Sequence, residues 1–424
     1  MEFNHVSNFF KKNHIISILV LATITLTFHF SKASITSEHP EKPFLSSLPV
    51  LLLTPSLEYK PEEDQLTLHP ERGLFFSFLK PNGYNFSYKL QGTSPDSPQA
   101  PAIFIIPGIG GVPSNKSVMY LSELAYNLGY SVITLTSSTH WSFAMAASSS
   151  GRTGHLPDDS RDLYNIIKHI KTKLEKKHHF YPSKWGILGS SYGTLDGSFL
   201  MAQDLKEKSF NFEFLFLINP PLNRSTAIAK VDDYFATGDQ WPSKKKTSLK
   251  FEFLNRFNLF KILSIDSYET FRFVFPMEES ELAWLMSKNF RDIILNSALI
   301  GNKLENIETK SANEAFNGNI IDYLRERLYK KHHKAHSPDD YFKLEQESNL
   351  TSILNQNNAE ILTSKKVILF HSTNDYLSFP EGSSTLNELN KIEQHIYPFG
   401  GHLGILTDDN VIKDIQSSLV QLKY

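Results

Sequence analysis

The chain has 424 residues, enough to bury a large core and to hold more than one domain. Lys and Arg (43) nearly balance Asp and Glu (45), which excludes the strongly basic surface of a nucleic-acid-binding protein. The 21% charged and 40% hydrophobic residues are typical of a soluble globular protein, and the absence of cysteine excludes disulfides, thiolate nucleophiles and cysteine-ligated zinc.

The first 33 residues have the three parts of an export signal. Lys11 and Lys12 precede an apolar run over Ile15–Phe30, and Ser31-Lys32-Ala33 places small residues around a cleavage site. We therefore predict a signal peptide over 1–33 and an exported protein, periplasmic or secreted. An uncleaved membrane anchor is the first alternative, although the apolar run is shorter than the ~20 residues of a membrane-spanning helix. A buried N-terminal helix is the second.

Residues 34–65 are rich in Pro and Ser and are predicted to form an irregular lead-in. Two runs, Leu74–Leu79 and Tyr84–Leu90, flank Pro81-Asn82-Gly83 and predict a hairpin. From Ala102 onward, apolar runs alternate with glycine turns and helical periodicity. The predicted strands are Ala102–Pro107, Tyr130–Thr136, Trp185–Gly189 and Phe212–Asn219, and the predicted helices are Lys116–Leu128, Pro157–Leu174 and Tyr192–Leu205.

The alternation stops after residue 221 and resumes near residue 365. Residues 222–363 carry helix-like segments and many charges, whereas Lys366–His371 and Gln394–Pro398 have the pattern of strands. Alternating strands and helices are typical of a parallel sheet with helices on both faces. We predict one α/β core, formed by 66–221 and 364–424, that is interrupted by a helical cap insertion over 222–363.

A G-x-S-x-G motif, Gly189-Ser190-Ser191-Tyr192-Gly193, lies between a predicted strand and a predicted helix. In this context the serine occupies a sharp turn, where small neighbours let the backbone pack closely while the hydroxyl projects. Ser191 is therefore the predicted nucleophile. The alternative is a glycine-rich turn with an inert serine, and Ser190 falls outside the motif frame.

His402 has the best setting for the base that a serine nucleophile needs. It lies in Phe399-Gly400-Gly401-His402-Leu403-Gly404, a glycine-rich loop that follows a C-terminal strand. The cluster of His332, His333 and His336 is predicted to be a solvated helical face. His140 follows a strand and is left open between a pocket-lining residue and a packing residue.

Asp375 is the predicted acid that orients the imidazole. It follows the strand that resumes the fold, in His371-Ser372-Thr373-Asn374-Asp375. An ordinary Asn-Asp turn is the alternative interpretation. The loop after Phe212–Asn219 holds no acid before Asp232, so that position offers no competitor.

Glycines after the first buried strand can present backbone N–H groups to a developing negative charge. Gly108-Ile109-Gly110-Gly111 occupies this place, and one of its N–H groups together with that of Tyr192 would form an oxyanion hole. The same glycines fit no nucleotide motif. Pro113 stands where a dinucleotide fingerprint needs glycine, and Lys116 follows Asn115 rather than the glycine of a phosphate-binding loop.

The order Ser191, Asp375, His402 and the strand-borne PGIGG, GSSYG, STND and GGH motifs resemble the α/β-hydrolase superfamily of serine esterases and lipases. The resemblance covers about 66–221 and 364–424, and the insertion lies where cap domains of that superfamily enter. It implies a Ser-His-Asp triad, acyl-enzyme chemistry and no cofactor or metal, with Ile109 as the second oxyanion donor. The sequence departs from many members at Pro107, where they have histidine.

The leading hypothesis is a carboxylic ester hydrolase that acts on a small-molecule or lipid-like ester. Amide or peptide hydrolysis with the same triad is an alternative, and a non-catalytic binding protein on the same fold is another. Two apolar stretches of the cap, FEFLNRFNLFKIL and FRFVF, are candidates for the wall of an acyl pocket, although such stretches more often pack in the core between helices. No nucleic-acid partner is expected, and membrane contact is expected only through an uncleaved N-terminal segment.

Overall fold

Eight strands form one sheet in the computed structural model, which describes residues 42–72, 83–92, 99–263, 276–307, 318–356, 365–378 and 382–423. The strand order is β1-β2-β4-β3-β5-β6-β7-β8. β2 is antiparallel to both of its neighbours, and all pairs from β4 to β8 are parallel. The strands are β1 (Glu62–Leu66), β2 (Tyr84–Lys89), β3 (Ala102–Ile106), β4 (Ser131–Thr134), β5 (Trp185–Ser190), β6 (Phe214–Ile218), β7 (Lys366–Ser372) and β8 (Glu393–Tyr397).

Helices connect the strands and fill the interval between β6 and β7. Those outside the interval are α1 (Pro43–Ser47), α2 (Lys116–Asn127), α3 (Trp141–Ala146), α4 (Leu156–His178), α5 (Tyr192–Glu207), α13 (Gly382–Glu388) and α14 (Asp409–Lys423). Those within it are α6 (Arg224–Ala236), α7 (Ser243–Leu263), α8 (Glu279–Leu304), α9 (Ile320–Tyr323), α10 (Lys330–His332), α11 (Pro338–Glu347) and α12 (Leu350–Gln356), with a π-helical turn over Leu324–Tyr329.

The central strands are apolar throughout because both faces of the sheet are covered. Every residue of β3 and β6 is buried. Phe104 and Ile106 of β3 pack in the cluster that holds α4 and α5, whereas Ile103 and Ile105 pack in the cluster that holds α2 and α14. The predicted fold class is confirmed: an α/β-hydrolase fold with a mostly parallel central sheet, helices on both faces and a mainly helical insertion.

The structure departs from the predicted irregular lead-in over 34–65. Within it lie α1, a 3₁₀ turn over Leu48–Leu52 and most of β1, which pairs with β2. β1 escaped prediction because it is an edge strand with mostly exposed, acidic side chains rather than an apolar alternation. Its carboxylates pair instead with lysines of α4, Asp64 with Lys173 and Glu62 with Lys177.

Two other predicted features fall outside the described residues. These are the signal peptide over 1–33 and the Leu74–Leu79 run of the hairpin, whose partner Tyr84–Lys89 is β2. No helix in the described part of the chain is long and apolar enough to cross a membrane.

The carboxyl ends of β5, β6 and β7 meet at one edge of the sheet. Ser190 pairs with Ile218, and Ile218 pairs with Phe370. The next residues continue this alignment, since the Ser191 N–H donates to the Ile218 carbonyl at 2.8 Å and the Asn219 N–H donates to the Phe370 carbonyl at 2.8 Å. Residues that follow these strands therefore converge, as they do in other parallel α/β sheets.

The insertion is tied to the core beside this edge. The Ser297 hydroxyl of α8 donates to the Thr139 carbonyl at 2.8 Å. At the end of α8, Glu305 accepts hydrogen bonds from the buried Arg152 guanidinium at 2.6 and 2.9 Å. The helices of the insertion also share an apolar cluster, which includes Leu282, Trp284 and Leu328 and to which Phe44 and Tyr376 of the core contribute.

Candidate active site

Ser191 lies on the sharp turn between β5 and α5. Its φ of 52° and ψ of −125° are rare for a residue with a side chain, and this strain is typical of a nucleophile turn. A Cβ atom on Gly193 would lie 2.2 Å from the Ile106 carbonyl oxygen, and one on Gly189 would lie 2.4 Å from the Gly193 oxygen. The two glycines of the motif therefore allow α5 to start directly against the ends of β3 and β5.

A continuous hydrogen-bonded chain joins Ser191, His402 and Asp375. The Ser191 Oγ lies 2.7 Å from His402 Nε2, and His402 Nδ1 lies 2.8 Å from Asp375 Oδ2. Because a carboxylate can only accept, Nδ1 carries the proton and Nε2 is left to accept the Ser191 O–H. All three are buried, with 6%, 5% and 0% of their surfaces exposed. The three residues that the sequence singled out are thus brought together, in the geometry of an activated serine.

Asp375 remains ionised despite its complete burial. Burial alone raises the pKa of the Asp375 carboxyl, but the electrostatic attraction and the hydrogen bond of the His402 ring outweigh it and hold that pKa below the ordinary value. The Leu377 N–H donates to Oδ1 at 2.9 Å, and the Asn219 side-chain amide donates to Oδ2 at 2.9 Å. Every one of these donors stabilises the charged form.

The loop that carries His402 is fixed from two distant parts of the chain. The His402 N–H donates to the Ser47 hydroxyl of α1 at 2.6 Å, and the Gly401 N–H donates to the Asn374 side-chain oxygen at 2.8 Å. Gly401 has a φ of 56°, and a Cβ atom there would lie 2.2 Å from the Pro43 carbonyl oxygen. Only glycine lets α1 pack this closely, so α1 supports the position of the base.

The predicted oxyanion loop approaches the nucleophile. A Cβ atom on Gly108 would lie 2.9 Å from the Ser191 Cβ. The Gly110 N–H donates to the Thr139 hydroxyl, and the Gly111 N–H donates to the Gly108 carbonyl. The Ile109 N–H makes no hydrogen bond within the described residues.

Tyr192 is the first residue of α5, so its N–H is one of those that a helix leaves unpaired. The N–H groups of Ile109 and Tyr192 thus remain the two candidate donors for an oxyanion beside Ser191.

A cavity that is partly open to solvent adjoins Ser191. Its lining comes from both the core and the insertion. The core supplies Ile109, Thr139, Thr153, Gly154, Ser191, Tyr192, Pro221 and Leu377, and the insertion supplies Arg224, Ala227, Ile228, Val231, Phe290, Ile294, Ile320 and Leu324. The lining is mainly apolar, which suits a hydrocarbon-rich substrate.

The cap stretches expected to wall the cavity do not line it in the described part of the chain. Phe251 and Leu254 of FEFLNRFNLFKIL are 63% and 56% exposed, and FRFVF lies outside the described residues. The apolar faces of α6 and α8 supply the wall instead. An apolar helical stripe does not by itself tell which surface it covers, so the sequence left this point open.

The other histidines considered from the sequence do not line the cavity. His140 caps α3, its Nδ1 accepting from the Ser142 N–H at 3.2 Å, and it does not line the cavity. Burial lowers the pKa of His371 to about 4, so this ring is neutral beside the triad. His333 was expected on a solvated face, but its ring packs 4.0 Å from that of His155.

His155, Asp158 and His333 form a group that contains metal-ligand atoms, the one such group found in the described residues. Arg161 also contacts the Asp158 carboxylate. Burial, together with the charge of Arg224, lowers the pKa of His155 to about 4. Two guanidinium groups close to the donors would repel a divalent cation, so we assign no metal here.

Three residues that hydrogen-bond to Asp375 or to the loop of His402 were missed in the sequence. Asn219 ends β6, and its position beside β7 at the carboxyl edge was the signal that could have found it. Asn374 directly precedes Asp375, and an asparagine in such a turn gives no separate signal. Ser47 carries no signal, because its contact with His402 joins residues 355 positions apart.

No protein-family model matches the chain, and no curated protein matches its sequence. Among solved structures it is similar to the hyperthermophilic esterase of the archaeon Pyrobaculum calidifontis, at 11% identity and a TM-score of 0.44 over 96% of each chain. Carboxyl esterase 2 of the mycorrhizal fungus Tuber melanosporum is 12% identical, with a TM-score of 0.43 over 96% of each chain.

Brefeldin A esterase, described as a bacterial homologue of human hormone-sensitive lipase, is 10% identical, with a TM-score of 0.42 over 95% of this chain and 92% of that chain. Likenesses this remote carry no argument about activity.

Proposed function

We propose that the protein is a serine hydrolase that cleaves carboxylic esters through an acyl-enzyme on Ser191. The observation that carries the proposal is the chain Ser191–His402–Asp375, with hydrogen bonds of 2.7 and 2.8 Å beside an apolar cavity. The stability of the fold does not require a buried serine, histidine and aspartate to be hydrogen-bonded in this order. Their arrangement is what proton transfer from serine requires.

The reaction proceeds in two halves. Ser191 Oγ attacks the ester carbonyl while His402 Nε2 takes its proton, and Asp375 stabilises the resulting imidazolium. The N–H groups of Ile109 and Tyr192 bind the oxyanion of the tetrahedral intermediate. His402 then gives its proton to the leaving alcohol, and a water molecule that His402 activates releases the acyl group as a carboxylic acid.

Hydrolysis of 4-nitrophenyl esters of graded acyl length, beside the matching 4-nitroanilides, tests the proposal. We expect turnover of the esters and at least a strong preference over the anilides. Ser191→Ala is expected to lower kcat by roughly 10⁶, whereas Ser190→Ala, at the buried end of β5, keeps its activity. Turnover of anilides alone would instead identify an amidase, and equal activity of Ser191→Ala would remove the nucleophile assignment.

We further propose that the protein is exported and that its mature chain begins near Ser34. Support comes from the two lysines, the apolar run and the small residues before that position. Cleavage there leaves α1, which holds the His402 loop, within the mature protein. N-terminal sequencing of protein from its native host is expected to give a start near Ser34. A start at Met1 would contradict cleavage, and recovery in the cytosolic fraction would contradict export.

A further inference from the structure

The cavity beside Ser191 contains one charged side chain among its described lining residues, that of Arg224. Arg224 is the first residue of α6, and only 3% of its surface is exposed. Its backbone is fixed, because its N–H donates to the Asn349 side chain at 2.9 Å and the preceding Asn223 caps the helix. The cation is therefore held at a defined place in the cavity wall.

No carboxylate within the described residues forms an ion pair with this guanidinium. Its NH2 group donates to the Gly154 carbonyl, and NH1 reaches the Tyr329 hydroxyl only at 3.5 Å. The Tyr192 ring lies 6.0 Å from the guanidinium carbon, and Nε has no hydrogen-bond partner. A buried cation without a counter-ion is costly, and the cost falls when an anion binds.

Two buried acids lie in the same interior, but each is engaged elsewhere. Asp159 accepts from the Gly154 N–H, and Asp196 accepts from the Ser138 and Ser160 hydroxyls at 2.8 and 3.2 Å. Burial raises the pKa of Asp159 well above its ordinary value and that of Asp196 to about 7. Neither carboxylate forms an ion pair with Arg224, because both are held by hydrogen bonds to other groups.

We infer that Arg224 binds a carboxylate of the substrate, so that the preferred substrates are esters carrying a free carboxylate on the part that fills the cavity. This inference rests on the proposed ester hydrolysis at Ser191. A guanidinium matches a carboxylate in shape and charge, and the apolar surroundings strengthen the interaction. The side chains of Val231, Phe290 and Leu324 would pack around the hydrocarbon between the carboxylate and the ester.

Matched substrate pairs test this inference on the wild-type protein. One arm compares mono-4-nitrophenyl esters of adipic and suberic acid with 4-nitrophenyl esters of monoacids of equal chain length. The other arm compares acetate esters of hydroxy acids with the same acetates as methyl esters. In at least one arm the charged member is expected to have a kcat/KM at least about tenfold higher. The arm that responds identifies which half of the ester fills the cavity.

Substitutions at Arg224 separate recognition from folding. Arg224→Met is expected to abolish the preference for the charged ester while neutral esters are still hydrolysed, and Arg224→Lys to keep part of it. Arg152→Met is the control, because Arg152 is another buried arginine but pairs with Glu305 and does not line the cavity. The preference is a ratio measured within one preparation, so a smaller folded fraction does not change it.

Inhibition of the wild-type protein gives a test that needs no variant. Hexanoate is expected to inhibit hydrolysis of a neutral ester at least about tenfold more strongly than hexanamide. Equal inhibition, together with no preference for charged esters in either arm, would overturn the inference and leave Arg224 a structural residue. Failure of the proposed function would look different, since no ester at all would be hydrolysed.

Discussion

At the scale of single residues, the proposed catalysis at Ser191 requires Asp375 to act as an ionised hydrogen-bond acceptor for His402. Asp375→Asn replaces the acceptor by an amide and favours the wrong imidazole tautomer, so kcat is expected to fall by roughly 10⁴ while the fold is retained. Asp204→Asn is the control, since Asp204 is equally a buried acceptor but binds the Phe210 and Phe212 N–H groups away from the site. Near-normal turnover by Asp375→Asn would mean that another group orients the base.

Asn219 is expected to support that carboxylate. It has a φ of 45°, so Asn219→Gly removes the side-chain donor without straining the backbone. Loss of one hydrogen bond to the Asp375 charge should lower kcat by about tenfold with little change in KM. Steady-state kinetics on a neutral ester measure this split. A change confined to KM would show that Asn219 acts on substrate binding instead.

The meeting of Ser191 and His402 could be predicted because the backbone requirements of the two turns are local. Glycines on both sides of Ser191, and just before His402, mark the turns that carry them. Asn219 and Ser47 could not be found in this way, since they reach the triad across the fold and carry no local pattern. Arg224 was missed for the same reason. Nothing in the sequence shows that a charged residue at the start of a helix is buried.

At the scale of elements, the short helix α1 supports the loop that carries His402. Ser47→Ala removes the acceptor of the buried His402 N–H and should destabilise the protein by about 1–3 kcal/mol. Ser46→Ala is the control, because the Ser46 hydroxyl donates to the Lys42 carbonyl. Urea unfolding measures both. Equal losses for the two variants would show that α1 contributes only its own helical contacts.

The contact between α8 and the core is expected to depend on pH. Burial alone raises the pKa of Glu305, but Arg152, Lys331 and His332 outweigh it and lower the pKa to about 2. Because the unfolded carboxyl titrates near ~4.3, the stability is fully present above that pH and is lost as the pH falls toward about 2.

Glu305→Gln should therefore lose about 1–3 kcal/mol at neutral pH, and the gap to wild type should narrow in acid. Glu326→Gln, at an exposed pair with Lys330, is the control and should change stability by less than ~0.5 kcal/mol. Urea unfolding at about pH 7 and about pH 3 gives the comparison. A gap of constant size would mean that Glu305 contributes through packing rather than charge.

At the scale of the whole molecule, the buried parallel strands were the strongest signal in the sequence. AIFII and FLFLI are continuous apolar runs because helices cover both faces of the sheet, and this pattern identified the fold class. The edge strand β1 and the surface covered by each cap helix were not predictable, since both depend on what packs against them. Phe251 and Leu254 of α7 show this, being apolar and yet exposed.

The most direct test of the central claim is covalent labelling with a fluorophosphonate, followed by mass spectrometry of the intact chain and of its peptides. An activated serine is required for the reaction. A single adduct is expected on Ser191 in the wild-type protein and in Ser190→Ala, and none in Ser191→Ala. An adduct on another serine, or equal labelling of Ser191→Ala, would contradict it.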